Sequence, residues 1–170
     1  FASKSGEQDS IIIVDVKTGK YEKIPIDLDG VFTTSWHPFE NKIAFMGHKD
    51  DSSDIYIIDL NSDEITNITN DIFSDSSPSW SPNGKIIYFT SDRGENINAN
   101  NMFDVDFSQT DIFQYSLESD TVSQLTNTEY NENYPVADSD GNLYYTADYN
   151  GITNIFRHDL INNEAFPITN

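Results

Sequence analysis

The sequence contains no cysteine, so disulfides, thiolate nucleophiles and Cys-ligated zinc are all excluded. Basic residues are scarce: nine Lys plus Arg stand against 29 Asp plus Glu, a formal net charge of −20. The resulting field repels phosphate backbones and anionic lipid surfaces, which argues against nucleic acid as a partner. No apolar run approaches the roughly 20 residues a spanning helix needs, so direct membrane insertion is not expected. The opening residues Phe1-Ala2-Ser3-Lys4 carry no signal-peptide pattern, and a targeting signal would lie outside these residues. Gly-rich phosphate loops and the Gly-x-Ser-x-Gly nucleophile elbow are missing, which leaves no seat for the corresponding chemistry. The three histidines, His37, His48 and His158, have no spacing that would place two on one metal. Neither a cofactor nor a catalytic residue is expected.

What is present is an aromatic content of 13% with frequent Ile, Val and Thr, residues suited to pleated, half-buried strands. They recur in order. The segments DSIIIVDVKTGKYEKIP (9–25), SDIYIIDLNSDEITNIT (53–69), TDIFQYSLESDTVSQLT (110–126) and TNIFRHDLINNEAFPIT (153–169) align without gaps. Ile11, Ile55, Ile112 and Ile155 share one column, Asp15, Asp59, Ser116 and Asp159 another, and Ile24, Ile68, Leu125 and Ile168 a third, at spacings of 44, 57 and 43 residues. A second block precedes each of the last three segments: TTSWHPFENKIAFMG (33–47), SPSWSPNGKIIYFTS (77–91) and YPVADSDGNLYYTA (134–147). Trp36 and Trp80 correspond, with Ala137 in third place.

Each unit therefore predicts four short strands, here a to d, separated by turn pairs such as Asn-Gly, Thr-Gly and Ser-Asp. Four strands in about 43 residues is the period of a propeller blade. A β-sandwich also has many short strands, but nothing in it requires one pattern at fixed spacing. The expected fold is all-β: a propeller segment of about three and a half four-stranded antiparallel blades. The units divide as residues 1–26 (partial), 27–70, 71–127 and 128–170. Phe1 aligns with Phe45 and Phe89 on strand b, so the first unit lacks strand a and most of b. The segment reads as part of a larger propeller whose remaining blades belong to a longer chain. Expressed alone, with open sheet faces, it is expected to oligomerise.

The run Pro78-Ser79-Trp80-Ser81-Pro82-Asn83-Gly84-Lys85, followed by Ile86 to Gly94 and a unit closing on Leu125-Thr126, resembles the TolB-like (WD40-like) β-propeller repeat family. That pattern is Pro-x-Trp-Ser-Pro-Asp-Gly with a terminal Leu-Thr, and Asn83 replaces the Asp. The block around Trp36 is looser, with His37 and Phe39-Glu40 in the turn. The resemblance implies a periplasmic, extracellular or cell-surface bacterial protein. It leaves function open between a binding module, the substrate-gating propeller of a larger prolyl-oligopeptidase-like or tricorn-like peptidase, and a propeller binding a small ligand, carbohydrate or calcium.

Local motifs add little catalytic content. Carboxylate pairs are too abundant to single out a glycosidase pair. Asp138-Ser139-Asp140-Gly141-Asn142 resembles the start of a calcium loop, but its Gly comes too early and no Glu follows at the twelfth position; a tight a–b turn is expected. Trp36 and Trp80 are expected to pack between blades, and Asn67-Ile68-Thr69 to end a strand. The one irregularity is an insertion at residues 95–109, ENINANNMFDVDFSQ, between strands b and c of the third unit. Antiparallel pairing sends the b–c and d–a loops to one face. That face collects most of the loop carboxylates, whereas Lys17, Lys20, Lys42 and Lys85 fall opposite. Loops on a rigid scaffold carry recognition. The candidate partner-binding residues are accordingly Asp75, Asp92, Glu95, Met102, Phe103, Asp104, Asp106, Phe107 and Glu132, and the expected partner is a protein or peptide of basic character.

Overall fold

The fold is that of a computed structural model, which describes residues 1–4, 8–94 and 107–170. Among the described residues fifteen strands form four antiparallel sheets, each from consecutive strands. The first sheet holds β1 (Ala2–Ser3), β2 (Ser10–Val14) and β3 (Tyr21–Pro25). The second holds β4 (Gly30–Trp36), β5 (Lys42–Lys49), β6 (Ser52–Asp59) and β7 (Glu64–Asn67). The third comprises β8 (Asp75–Trp80), β9 (Ile86–Ser91), β10 (Asp111–Ser116) and β11 (Thr121–Gln124). The fourth comprises β12 (Glu132–Ala137), β13 (Asn142–Ala147), β14 (Asn154–Asp159) and β15 (Glu164–Pro167). No described helix is long and apolar enough to cross a membrane.

The repeated columns have direct physical causes. Asp15 follows β2, and Asp59, Ser116 and Asp159 end β6, β10 and β14; they accept turn N–H groups from Lys17, Asn61, Ser119 and Ile161. These are side-chain-closed turns, and each is completed by a left-handed residue: Gly19, Asp63, Asp120 and Asn163. The closing Thr of the last three units is a latch. The hydroxyls of Thr69, Thr126 and Thr169 accept the N–H of Ile55, Ile112 and Ile155, while the N–H of Ile68, Leu125 and Ile168 donates to the carbonyls of those same isoleucines. Two bonds thus pin the outermost strand to its neighbour at its end.

The first strand of each complete sheet is an inner edge. β4, β8 and β12 lie side by side, and each has a bulge at the same place, between Val31 and Thr34, Ser76 and Ser79, and Asn133 and Val136. An edge strand tolerates the missing N–H of proline, which accounts for Pro78 and Pro135 within the bulges.

Sheets stack face to face through three apolar clusters. Ile11 meets Val31, Ile43, Phe45 and Tyr56 between the first two sheets. Ala44 and Ile55 meet Trp80, Ile87, Phe89 and Phe113 between the second and third. Tyr88 and Ile112 meet Leu143 and Tyr145 between the third and fourth. Of the four aligned isoleucines, Ile11, Ile55 and Ile112 are completely buried, but Ile155 is 42% exposed. Its column faces the following sheet, and no described sheet follows the fourth.

The two tryptophans also diverge. Trp80 is buried at 6% exposure, whereas Trp36 is 49% exposed, against the expectation that both pack between blades. Trp80 is covered by His37 of the preceding sheet, whose ring stands edge-on at 4.5 Å. Among the described residues no ring contact is made to Trp36. His37 accepts the N–H groups of Phe39 and Glu40 on Nδ1, and its Nε2 therefore donates to the Gly84 carbonyl at 3.2 Å. A Cβ on Gly84, at φ +71°, would come within 2.3 Å of that Nε2, so this turn requires glycine for both conformation and closeness.

Trp80→Ala should lower stability by roughly 3–5 kcal/mol, the range for emptying a large aromatic core site. Trp36→Ala should cost no more than about 1 kcal/mol. Chemical-denaturation curves for the two variants check the contrast.

Candidate functional site at the loop face

A sheet junction needs apolar contact through its middle and must satisfy polar groups at its ends. On the face formed by the b–c and d–a loops, this requirement builds three clusters, one per junction.

At the first junction Asp9 accepts the Val31 N–H at 3.0 Å across the sheets, and Asp29 accepts the Asp50 N–H at 2.8 Å. A groove of about 670 Å³ opens there, lined by Asp9, Asp27, Asp29 and Asp50 together with Lys4 and Lys49. It adjoins a second groove of about 420 Å³ that shares Leu28, Lys49 and Asp50 and continues past Asp54 to Asn70. Asp27, Asp29, Asp50 and Asp51 are exposed.

At the second junction Asp54, Asp71 and Asp75 bring carboxylate oxygens within 4.8 Å of one another, a spacing at which a cation is required. That cation is Arg93. Its Nη2 donates to both oxygens of Asp75 at 2.6 and 2.5 Å, its Nη1 to Asp71 at 2.8 Å, and its Nε to the Ser91 hydroxyl at 2.8 Å. The guanidinium lies over Phe73, Phe89 and Phe113 at 5.1, 5.5 and 5.4 Å, combining a planar fork with stacking that lysine cannot match. Burial pushes the Asp75 carboxyl up to about 6, against the opposing pull of Arg93. Asp54 is satisfied separately, by the Asn67 amide and the Thr69 hydroxyl, which makes Asn67 a strand-end partner as expected from its place in the repeat.

At the third junction Asp111 accepts the Gln109 and Gln124 amides at 3.4 and 3.2 Å, and Glu132 accepts the Thr128 hydroxyl at 3.2 Å. Glu132 is 1% exposed, and burial pushes its carboxyl up to about 7, with nearby Asp111 adding to the rise.

The structure redistributes the candidate recognition residues. Asp75, Asp92 and Glu132, expected on an exposed acidic face, have 0%, 8% and 1% exposure. Their side chains turn into the junctions, Asp92 to accept the Ser74 N–H at 2.8 Å, because strand ends lie under the loops and not among them. Phe107 is 38% exposed and packs a tilted ring on Phe73 at 6.2 Å. Glu95, Met102, Phe103, Asp104 and Asp106 lie outside the described residues. Asp138 closes a tight turn, accepting N–H groups of Asp140 and Asn142 at 2.9 Å each.

Arg93, Asp54 and Asp111 were not singled out from the sequence. A usable signal was there: the residue just before each aligned isoleucine is Ser10, Asp54, Asp111 or Asn154, always polar.

The model of the TolB beta propeller domain matches residues 1–110. Uncharacterized protein Atu1656 of Agrobacterium fabrum is 24% identical over 123 residues, which is 72% of this chain and 37% of that protein. Among solved structures, TolB from Acinetobacter baumannii superposes with a TM-score of 0.79 at 20% identity, covering 99% of this chain and 39% of that one. A putative TolB from Agrobacterium tumefaciens gives 0.70 at 19% identity over 95% of this chain and 61% of that one. The tricorn protease gives 0.65 at 21% identity, over 94% of this chain and 16% of that one. The chain thus spans less than two thirds of the length of each.

Arg93→Ala should lower stability by roughly 3–5 kcal/mol by leaving buried carboxylates uncompensated, and Arg93→Lys should recover only part of it, as read by urea unfolding. The folded-state pKa of Glu132, about 7, lies above the ordinary 4.5, so the folded form holds this proton more tightly than the unfolded chain. Its contribution is full below about 4.5 and is lost as pH rises to about 7. Glu132→Gln should therefore gain on the parent as pH rises through that window and not below it, in paired melting curves.

Proposed function

The chain belongs to the TolB beta propeller domain family, and from that premise we propose that it is a non-catalytic docking module for a basic protein or peptide. The observation that carries this reading is the pair of adjoining loop-face grooves bordered by exposed Asp27, Asp29 and Asp50. Exposed carboxylates in a concave surface attract cationic partners over a Debye length and set the association rate more than the final affinity. Lys4 and Lys49 in the same groove would add register by rejecting a partner whose cations fall at the wrong places. The insertion at residues 95–109 carries Met102, Phe103, Val105 and Phe107 in its sequence, and on this reading these would give the short-range part of the contact. A periplasmic location in bacteria accompanies this reading.

The triple variant Asp27→Asn, Asp50→Asn, Asp51→Asn should keep its melting temperature, because these carboxylates lie outside the buried clusters. It should associate several-fold more slowly with partners recovered by the unmodified protein, with a shallower salt dependence. Removing residues 96–108 should abolish recovery of the same partners from the native host. A folded deletion variant that recovers them with unchanged salt dependence would overturn the assignment to this face.

A further inference from the structure

The sequence holds two Asn-Gly pairs, Asn83-Gly84 and Asn150-Gly151. Glycine has no side chain to shield its amide nitrogen, so that nitrogen can reach the preceding asparagine Cγ and close a five-membered ring. By sequence the two pairs are equal reactants, and the structure makes them unequal. Ring closure requires the peptide unit between the two residues to turn until the glycine nitrogen faces Cγ. At Asn83 that unit is held from several sides. Asn83 Oδ1 accepts the Ser81 hydroxyl at 2.8 Å and the Lys85 N–H at 3.0 Å, and the Gly84 N–H donates to the Ser81 carbonyl at 2.9 Å. The Gly84 carbonyl accepts His37 Nε2 at 3.2 Å, and buried Gly84 lies against the same imidazole, which stands on Trp80. Turning this peptide would break bonds in two sheets at once.

Asn150 sits at φ 54° in the short turn Tyr149–Gly151 between β13 and β14. It is exposed, and among the described residues its side chain has no hydrogen-bond partner. Gly151 and Ile152 are exposed as well, and a Cβ on Gly151 would meet no atom within 4 Å. Two turn bonds hold the pair, from the Gly151 N–H to the Asp148 carbonyl and from the Ile152 N–H to the Tyr149 carbonyl, both at 3.1 Å. The firm anchors stop just before it. Asp148 accepts the N–H and the side-chain amide of Asn131 at 2.6 and 3.1 Å, and Tyr149 meets Tyr130 edge-on at 4.9 Å. Exposed turns with few buried contacts open at small cost, so Asn150-Gly151 can reach the ring-closing arrangement while its flank stays fixed.

We propose that Asn150 is a site of spontaneous deamidation, with water as the co-reactant, and that the His37 turn protects Asn83 from the same reaction. The Gly151 amide nitrogen gives its proton to hydroxide or a buffer base and bonds to Asn150 Cγ. The bond from Cγ to Nδ2 breaks, and ammonia leaves with a proton from solvent. Water then opens the resulting succinimide at either carbonyl, giving aspartate or isoaspartate, with nothing oxidised or reduced. Each event converts a neutral amide into a carboxylate on the b–c loop of the fourth sheet. The isoaspartate route also lengthens the main chain by one carbon between the Asp148 anchor and β14. This chemistry does not depend on the docking role.

The test ages the full chain in mildly alkaline buffer well below its melting midpoint, digests it in acid and follows each pair by peptide mass spectrometry. Isoaspartate is counted by labelling with an isoaspartyl methyltransferase. In the folded protein Asn150 should convert roughly tenfold or more faster than Asn83, the ratio that a modest difference in local opening gives. In guanidinium chloride, which removes the fold, the two should convert at similar rates. Gly151→Ala should suppress conversion at Asn150, and His37→Ala should speed it at Asn83. Because His37→Ala could fail to fold, the comparison of folded with denatured unmodified protein carries the same contrast. Equal rates at the two pairs in the folded protein would overturn the proposal, as would a ratio unchanged by denaturation. Conversion at Asn150 that appears only in guanidinium chloride would overturn it as well.

Discussion

A four-stranded sheet with apolar side chains on both faces cannot stand alone in water, and everything in this structure follows from how each face is covered. The second and third sheets are clothed on both sides, with Phe45 against one neighbour and Ala44 against the other. Burial of such surface is worth about 25 cal/mol per Å², so stacking is the dominant favourable term. It also dictates the repeat. Each unit must present to the next the same relief it receives from the last, which a fixed spacing of columns accomplishes. Where a face has no described neighbour, as at Ile155, the same residue type in the same column is exposed.

Stacking creates a second problem at the ends of the sheets, where strand termini and loop carboxylates are drawn into the junctions. A chain of net charge −20 has few internal cations to assign, and their placement carries information. His37, bonded on both ring nitrogens and set against Trp80, serves a turn and leaves the buried carboxylates to Arg93. Arg93 is spent on two carboxylates, Asp71 and Asp75, and three phenyl rings. At the third junction Asp111 is held by the Gln109 and Gln124 amides instead. Charges that look alike in composition therefore separate into two populations, those buried and compensated, and those exposed and available to a partner.

This separation bears on function. An acidic surface inferred by counting would include Asp75, Asp92 and Glu132, yet the exposed carboxylates that line the grooves are Asp27, Asp29 and Asp50. A docking role built on these residues places recognition on loops of the first and second sheets as well as on the insertion. The buried carboxylates then set how firmly adjacent sheets are held beneath that surface.

The four-strand period, the columns of Ile, Asp and Thr and the turn pairs were all legible in the sequence, because strand alternation and turn chemistry are local and leave a mark at fixed spacing. The role of the Asp15 column in closing turns and of Gly84 in an a–b turn is of this local kind. What the sequence could not decide was direction and partnership. Whether a carboxylate points to solvent or into a junction depends on partners distant in the sequence, as Arg93 is for Asp71, 22 residues away. Nor could it distinguish Trp36 from Trp80, which hold the same place in the repeat, since burial belongs to the neighbouring sheet and not to the residue. Local hydrogen bonding wrote the strands and turns; only tertiary stacking determined which side chains are core, which are ion pairs and which remain on the surface.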